Sequence, residues 1–265
     1  MNPETVLITG ASSGIGWELA KCFAADGARL ILVARSTPAL ESLAAELRHS
    51  FKVEVRVVTA DLRLRETPAR MFAALNAAGV TVDVLVNNAG FGTHGHFAEL
   101  PLDRQLDMIQ VNVTALMHLT GLFLPGMLER RRGGVLNIAS TAAFQPGPRM
   151  AVYYATKAHV LSFGEALAEE LTGTGVTVTT VCPGPTKTNF GNVANFRGSD
   201  SLLRGAMTAA AVAEHAHRAF RRKRVMAISG FSNRLLTVVV RGLPRLVVRK
   251  IVKWLITIRK PVRES

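Results

Sequence analysis

The chain has 265 residues and a formal net charge of +13, and 48% of its residues are hydrophobic while 6% are aromatic. This length suits one large domain or two small ones, and it suffices to bury an extensive core. The charge is uneven: residues 221–265 hold thirteen Lys or Arg against one acid, whereas residues 1–220 hold nineteen against eighteen. Because the body is nearly neutral, the net charge does not imply a nucleic-acid-binding domain.

The first residues lead directly into a strand pattern, so no signal peptide is expected. No run of about 18 uninterrupted apolar residues predicts a membrane-spanning helix. Cys22 and Cys182 stand far apart and have no metal-type neighbours, which favours a reduced intracellular protein with two packing cysteines.

Short apolar runs alternate with segments of helical periodicity. The predicted strands are TVLITG, ARLILVA, VEVRVVTA, VDVLVNNAG, GGVLNIAS, GVTVTTVCPG and RVMAISG, and the predicted helices lie near residues 15–26, 38–48, 66–78, 103–128, 153–172 and 208–221. This alternation favours an α/β, Rossmann-like doubly wound fold with a seven-stranded parallel sheet flanked by helices. The long irregular segment at about residues 183–205 is typical of a lid.

A glycine-rich turn, TGASSGIG, joins the first strand to the first helix at residues 9–16. Gly10, Gly14 and Gly16 permit a tight turn and let the backbone approach a pyrophosphate, which the free N–H groups of the helix N-terminus can bind. The position of the turn between strand and helix predicts dinucleotide binding.

The second strand ends in LVARS, where NAD-binding units usually carry Asp or Glu for the ribose 2′-hydroxyl. Arg35 can pair with a 2′-phosphate instead, and Ser36 can donate a hydrogen bond to it. The sequence therefore favours NADP(H), because a merely solvated Arg35 would leave the missing acid unexplained.

Two further segments follow the third and fourth strands. Asp61 lies in TADL, where a loop can meet the adenine, and residues 87–90 form NNAG. Because ligands of such sheets bind at the carboxyl ends of the strands, both segments are expected near the glycine turn. His94 and His96 have a spacing that can ligate metal, but no neighbouring carboxylate or Cys completes a set, so no metal is predicted.

Both tyrosines of the chain stand side by side in VYYATKAH. Tyr153 and Tyr154 precede Lys157 by four and three positions, and both spacings lie on one helix face. The geometry alone does not choose between them, and it also leaves open an ordinary packed Tyr–Lys pair.

The motifs TGASSGIG, NNAG, YYATK and PGPTKT, together with Ser140, resemble the short-chain dehydrogenase/reductase family over about residues 4–230. That family places a serine thirteen residues before its catalytic tyrosine, and Ser140 precedes Tyr153 by thirteen. The resemblance therefore implies that Tyr153 is the acid/base, Ser140 a second donor to the substrate oxygen, and Lys157 the cation beside them. It also implies that Asn112 holds a water that links the lysine to solvent.

We expect Lys157 to lower the pKa of Tyr153, since one charge at about 4 Å contributes about 4 kcal/mol at an effective dielectric near 20, or about 3 pKa units. The PGPTKT segment is expected to close on the nicotinamide. Thr186 stands there in place of the usual Val or Ile, which puts only local packing in question.

The predicted cofactor-binding residues lie in the glycine turn, at the strand ends, on the catalytic helix and in the PGPTKT segment. They are Gly10, Ser12, Ser13, Gly14, Ile15, Gly16, Arg35, Ser36, Asp61, Leu62, Asn88, Ala89, Gly90, Tyr153, Lys157, Pro183, Gly184, Thr186 and Thr188.

The sequence thus predicts an NADP(H)-dependent oxidoreductase that transfers a hydride between nicotinamide and a lipophilic carbonyl or alcohol. Two alternatives are a catalytically idle NADP-binding sensor or scaffold, and a lipid-binding protein at a membrane surface. The resemblance further implies a homodimer or homotetramer built on the fourth and fifth helices, and no nucleic-acid partner is expected.

The predicted domains are a catalytic unit at residues 1–230 and a basic amphipathic helical extension at residues 231–265, which Gly242 and Pro244 divide into two helices. The expected basic stripe is Arg234, Arg241, Arg245, Arg249, Lys253 and Lys260, opposite an apolar arc of Leu236, Val240, Val247, Ile251, Trp254, Leu255 and Ile258. Such a segment either holds a cytoplasmic enzyme on the inner membrane surface or packs on the body.

Overall fold

The computed structural model describes residues 3–188, 190, 194 and 206–257, except for the side chains of residues 254–257. Most of the irregular segment predicted at residues 183–205 lies outside the described residues. The end of the predicted basic extension, including Lys260 and the side chain of Trp254, lies outside them as well.

A parallel sheet forms the centre of the described structure. Its seven strands run in the order β3-β2-β1-β4-β5-β6-β9, which confirms the predicted sheet. They are β1 (Thr5–Thr9), β2 (Arg29–Ala34), β3 (Val55–Thr59), β4 (Val84–Asn87), β5 (Gly133–Ile138), β6 (Val176–Cys182) and β9 (Met226–Ile228). A separate parallel pair, β7 (Thr186–Lys187) with β8 (Met207–Thr208), was not predicted from the sequence.

Helices cover both faces of the sheet. They are α1 (Gly14–Ala25), α2 (Thr37–Phe51), α3 (Thr67–Ala77), α4 (Leu102–Ile109), α5 (Leu116–Glu129), α6 (Ala151–Glu170), α7 (Ala209–Arg221), α8 (Phe231–Gly242) and α9 (Arg245–Thr257). Val6 and Ile8 of β1 belong to the core cluster with α1, α2 and α7, whereas Leu7 belongs to the cluster with α3, α5 and α6. Alternate residues of a strand are therefore both buried, which is why these strands read as continuous apolar runs.

The order in which the chain adds strands to the sheet reverses at β1. This strand pairs with β2 on one side and with β4 on the other, so consecutive connections run to opposite sides of the sheet from this point. Such a switch point opens a crevice at the carboxyl ends of the strands, where the glycine turn also lies.

The helix predicted at residues 103–128 is continuous but not uniform, because a π-helical segment, Gln110–Ala115, separates α4 from α5. By length and mean hydropathy, Leu102–Glu129 is a candidate membrane span, although it contains no run of about 18 uninterrupted apolar residues. However, 44% of its most apolar window is buried in the protein, and Leu119, Phe123 and Met127 contribute to the core. We therefore interpret it as a core helix.

The C-terminal helices α8 and α9 are separated by Leu243, which has extended backbone angles, and Pro244 starts the turn into α9. The expected division into two helices is thus confirmed. Of the expected apolar arc, Leu236, Val247 and Ile251 are exposed, so these three residues do not pack on the body. The residues that face the body are Thr237 and, on α9, Val248 and Val252, with Val240 partly buried.

Candidate active site

The glycine turn after β1 adopts the conformation that its residues were expected to permit. Gly10 and Gly14 have φ of 67° and 60°, in the left-handed region that favours glycine. The first helix begins at Gly14, directly after the extended Ser13, so its first N–H groups lie at the carboxyl end of the sheet. Ser12 and Ile15 flank these positions.

Asn88 fastens this turn to the end of β4. Its side-chain amide donates to the backbone oxygens of Thr9 and Gly10 at 2.9 and 3.1 Å. The Thr9 hydroxyl accepts from the backbone N–H groups of Asn88 and Ala89, both at 3.1 Å. Two of the predicted residues of the NNAG motif therefore hold the glycine turn in place.

Arg35 and Ser36 are exposed at the end of β2 and the start of α2, as expected for a site that meets a ligand phosphate. Asp61 pairs with Arg63, which the sequence did not predict. The Arg63 Nη2 donates to Asp61 Oδ2 at 2.6 Å, and its Nε donates to Oδ2 at 2.9 Å and to Oδ1 at 3.1 Å. This hydrogen bonding, with a contribution from the charge of Arg35, holds the pKa of Asp61 below its usual value. Leu62, the next residue, is buried.

The PGPTKT segment approaches the glycine turn from the opposite side of the crevice. A Cβ atom on Gly14 would lie 3.2 Å from Thr188 Cγ2, so the two loops are in contact. The Thr186 hydroxyl donates to the backbone oxygen of Gly184 at 2.9 Å, and the Pro183 oxygen accepts from the backbone N–H of Thr141 at 2.8 Å. Thr186 therefore makes a local hydrogen bond that the usual Val or Ile cannot make.

Ser140 and Tyr153 meet through their side chains. Ser140 precedes a 3₁₀ helix, Thr141–Phe144, and its Oγ accepts from the backbone N–H of Ala142 at 3.1 Å. Desolvation raises the pKa of Tyr153 to about 12; a hydrogen bond with the Ser140 side chain opposes the rise, and Tyr154 adds to it. The expectation that Lys157 lowers the pKa of Tyr153 is therefore wrong for the protein's own groups, because burial raises this pKa and only the Ser140 hydrogen bond opposes the rise.

Lys157 lies on α6 and is 6% exposed. Its Nζ donates to the backbone oxygen of Ile138, at the end of β5, at 2.8 Å, and lies 5.9 Å from the centre of the Tyr153 ring. Desolvation lowers the pKa of Lys157 to about 8. The ammonium group is therefore held near the tyrosine and can lose its proton close to neutral pH.

Asn112 lies in the π-helical segment, almost fully buried. Its amide exchanges two hydrogen bonds with the backbone of Phe91, at 3.1 and 2.9 Å, and donates to the Thr156 hydroxyl at 3.1 Å. A Cβ on Gly90 would lie 3.0 Å from Asn112 Oδ1 and 3.5 Å from Lys157 Nζ. The end of β4, the π-helical segment and α6 therefore converge on one point.

Tyr154 points to a different environment. Its ring covers Gly147, where an added Cβ would meet ring atoms at 2.3 to 2.4 Å, and it packs against the Val248–Val252 cluster of α9. The two rings meet edge to face, 6.1 Å between centres, but their other neighbours differ: Tyr153 lies beside Ser140 and Lys157, whereas Tyr154 packs against the C-terminal helices.

Three further residues around Tyr153 were not predicted from the sequence. The ring of Phe190 lies 5.2 Å from that of Tyr153, centre to centre. A Cβ on Gly92 would meet Phe190 at 2.8 Å, Tyr153 at 3.3 Å and Met150 at 3.5 Å. None of these belongs to a motif; only the position of Gly92 just after NNAG could have drawn attention to it.

Comparisons with known proteins identify the family of the chain. The family model for short chain dehydrogenases matches residues 4–196. A putative ketoacyl reductase of Streptomyces coelicolor is 42% identical over 184 residues, which cover 68% of this chain and 70% of that protein. A very-long-chain 3-oxoacyl-CoA reductase of Bos taurus is 36% identical over 184 residues, with coverage of 68% and only 58%. The match therefore spans less than two thirds of the bovine protein's own length.

Solved structures extend the similarity to almost the whole chain. A short-chain dehydrogenase from Sphingobium yanoikuyae in complex with NADPH is 31% identical, with a TM-score of 0.81 and coverage of 99% of this chain and 98% of that one. A structure of 7β-hydroxysteroid dehydrogenase is 26% identical, with a TM-score of 0.84 and coverage of 95% and 96%.

Proposed function

The chain belongs to the short-chain dehydrogenase family and is an oxidoreductase of that family; on this premise we propose that it uses NADP(H) to interconvert a lipophilic carbonyl compound and its alcohol. The observation that supports the proposal most directly is that four side chains converge at the carboxyl end of the sheet, where the glycine turn also lies. They are Asn112, Ser140, Tyr153 and Lys157.

The residues of the cofactor end fit a dinucleotide phosphate. A Cβ on Gly16 would lie 2.4 Å from both Asn88 Nδ2 and the Gly10 oxygen, so the turn is shaped by the absence of a side chain there. The N-terminus of α1 favours an anion, and the exposed Arg35 and Ser36 suit a 2′-phosphate. The NADPH complex of the Sphingobium relative supports the same choice of cofactor.

Tyr153 is the proposed proton donor to the carbonyl oxygen, and Ser140 the second donor to that oxygen. When bound, nicotinamide supplies the hydride. Because desolvation raises the pKa of Tyr153 to about 12, its hydroxyl keeps its proton at neutral pH and can donate it. Ser140 lowers that pKa through its hydrogen bond, which stabilises the phenolate that remains after the transfer.

Lys157 and Asn112 are proposed to assist the proton transfer. The Lys157 ammonium stabilises negative charge on Tyr153, and its bond to the Ile138 oxygen fixes its position. Asn112 is proposed to hold a water between Lys157 and solvent. Its bonds to the Phe91 backbone and to Thr156 fix its amide plane beside Gly90.

The lipophilic substrate class is supported by the relatives, which include ketoacyl, 3-oxoacyl-CoA and hydroxysteroid enzymes. It is also supported by the apolar surroundings of Tyr153, formed by Phe190 and Met150 around Gly92. The rival function, an idle NADP-binding sensor, does not require Ser140, Tyr153 and Lys157 to come together.

The proposal is tested by following NADPH oxidation with ketones, aldehydes and acyl-thioesters of graded chain length. We expect turnover that increases with chain length at the apolar end of the series. Failure to oxidise NADPH across the whole panel, by a folded protein that binds NADPH, would favour the sensor function.

The cofactor preference rests on Arg35. Arg35→Ala is expected to raise the KM for NADPH ten- to a hundred-fold, because a charge-assisted bond contributes about 1.5–3 kcal/mol, and to change the KM for NADH little. Arg70→Ala, which removes an exposed arginine from α3, is the matched control and should change neither constant. Equal use of both cofactors by the unaltered protein would contradict the assignment.

The pKa of Lys157 predicts the pH dependence of carbonyl reduction. Because this pKa is lowered to about 8 and that of Tyr153 is raised to about 12, Lys157 is the one of these two groups that titrates between about pH 6 and pH 10. We expect kcat/KM to be constant at lower pH and to fall as the pH rises through about 8, where the ammonium loses its proton. The Arg35→Ala variant should give the same profile; a rate that stays constant to about pH 10 would exclude this role.

We also propose a homodimer or homotetramer built on the fourth and fifth predicted helices, at residues 103–128 and 153–172. In the structure α4, the π-helical segment and α5 correspond to the fourth of these. Its apolar residues Leu102, Leu106, Ile109 and Met117 have 40% or more of their surface exposed, which supports a subunit contact there. Residues 1–230 are the proposed catalytic domain of a cytoplasmic enzyme, and residues 231–265 its extension. Sedimentation equilibrium tests the subunit number.

A further inference from the structure

The C-terminal helices are attached to the segments that carry the site. Asn233 of α8 lies directly over Gly184, where an added Cβ would meet its side chain at 2.2 to 2.6 Å, and its Nδ2 donates to the Ser229 oxygen at 2.7 Å. The Arg241 guanidinium lies 5.0 Å from the centre of the Phe144 ring, in the 3₁₀ helix that follows Ser140. Helix α8 thus contacts both the PGPTKT segment and the 3₁₀ helix Thr141–Phe144.

Helix α9 contacts the catalytic helix. Val248 and Val252 are each 4% exposed and form a small apolar cluster with Val240 and Tyr154, the neighbour of Tyr153. The inner side of α8 and α9 therefore touches three segments of the candidate active site. Packing on the body, one of the two alternatives that the sequence left open for this extension, thus applies to its inner side.

The outer face of α8–α9 is apolar and is exposed among the residues that the structure describes. We define it by six exposed residues that the described structure leaves facing solvent, four of them with at least half of their surface exposed. They are Phe231 (82%), Leu235 (57%), Leu236 (50%), Val238 (63%), Val247 (41%) and Ile251 (43%). Phe231, Leu235 and Val238 recur at helical spacing, opposite the buried Thr237.

The same two helices carry only positive charge. Residues 231–253 contain no Asp or Glu, and their basic residues are Arg234, Arg241, Arg245, Arg249, Lys250 and Lys253. Arg245, Arg249 and Lys253 are exposed and share one side of α9. Apolar groups flanked by basic side chains are the composition of a helix that lies in the interface of an anionic membrane.

We propose that the outer face of α8–α9 binds the surface of an anionic lipid bilayer and that the bound bilayer supplies the lipophilic substrate. The second part rests on the proposed function; the first does not. A second copy of this chain is a poorer occupant, because a symmetric contact of this face with itself would bring the basic side chains of both copies together without any acid between them.

The attachment of these helices gives lipid binding a consequence for catalysis. The segments that α8 and α9 contact carry Gly184, Phe144 and Tyr154, so a bilayer held on their outer side lies one helix layer from the site. Anionic lipid should therefore lower the KM for long-chain ketones and leave that for short-chain ketones unchanged.

Flotation of the full chain with vesicles tests the binding surface. Vesicles of phosphatidylcholine containing phosphatidylglycerol should bind the protein at low salt, whereas vesicles of phosphatidylcholine alone, or high salt, should not. The double variant Leu235→Ser with Val238→Ser should weaken binding at least tenfold. Leu64→Ser removes a comparably exposed leucine outside this face and is the matched control.

Failure of the unaltered protein to bind anionic vesicles at low salt would overturn the proposal. Equal binding by the double variant and the control would overturn the assignment to this face. If the double variant instead separates subunits in the absence of lipid, the face is a contact between copies. All three measurements are made without substrate, so they remain informative even if no carbonyl compound in the panel is reduced.

Discussion

Tyr153→Phe is expected to abolish carbonyl reduction, with a fall in kcat/KM of about 10³-fold or more, while the dissociation constant for NADPH changes little. General acids contribute about 10²–10⁴-fold, and the variant leaves neither a proton nor a phenolate at this position. The ring that packs against Phe190 is retained, so the site should keep its shape. Single-turnover oxidation of NADPH measures the first quantity, and fluorescence titration measures the second.

Tyr154→Phe is the matched control for this experiment. The Tyr154 ring covers Gly147 and packs against Val248 and Val252, and a phenylalanine preserves these contacts. We therefore expect most of the activity to remain. If the two variants exchanged their behaviour, the thirteen-residue spacing between Ser140 and Tyr153 would have selected the wrong tyrosine.

The central sheet was predictable because its strands are buried on both faces. Alternate residues such as Leu7 and Ile8 enter different core clusters, so the apolar runs are continuous and short, with glycine or polar residues at their ends. The site was predictable for a related reason: parallel strands bring their carboxyl ends together, so motifs that follow different strands must meet.

Features that depend on local geometry were not predictable. The π-helical segment at Asn112 leaves no mark in the apolar periodicity of the helix around it, although it presents this side chain to Phe91 and Thr156. The pairing of Asp61 with Arg63 depends on how a turn closes. Neither could be inferred from the spacing of residue types.

The C-terminal helices α8 and α9 show a different limit of prediction from sequence. The sequence indicates an amphipathic segment, but a helical wheel drawn through Leu243 and Pro244 assumes a continuous helix. The extended backbone at Leu243 changes the helical phase, so Val248 and Val252, which were not in the expected apolar arc, face the body, whereas Val247 and Ile251 of that arc are exposed. The basic stripe within α9 is retained because it lies on one side of the break.

The effect of Lys157 on the pKa of Tyr153 was also misjudged from the sequence. The expected lowering of the Tyr153 pKa considered only the charge of Lys157, whereas burial penalises both charged forms, the phenolate and the ammonium. The pKa of Tyr153 is therefore raised to about 12, and that of Lys157 is lowered to about 8. A sequence gives the identity of such neighbours but not their degree of desolvation.

Gly16→Ala is expected to weaken NADPH binding by about 10²-fold or more and to lower the free energy of unfolding by about 1–3 kcal/mol. An added Cβ would lie 2.4 Å from the Gly10 oxygen, a backbone atom, and 2.4 Å from Asn88 Nδ2, which itself holds the turn through Thr9 and Gly10. The methyl group can be accommodated only if the turn moves away from α1, and that movement displaces the N–H groups proposed to bind the pyrophosphate.

Gly121→Ala is the matched control, because Gly121 lies within α5 and an added Cβ there would meet nothing within 4 Å. That variant should bind NADPH normally and gain up to about 1 kcal/mol of stability from the better helix propensity of alanine. Fluorescence titration with NADPH and denaturation by urea measure the two effects. If Gly16→Ala bound NADPH as tightly as Gly121→Ala does, the turn between β1 and α1 would not be the phosphate site, and the cofactor assignment would have to rest on Arg35 alone.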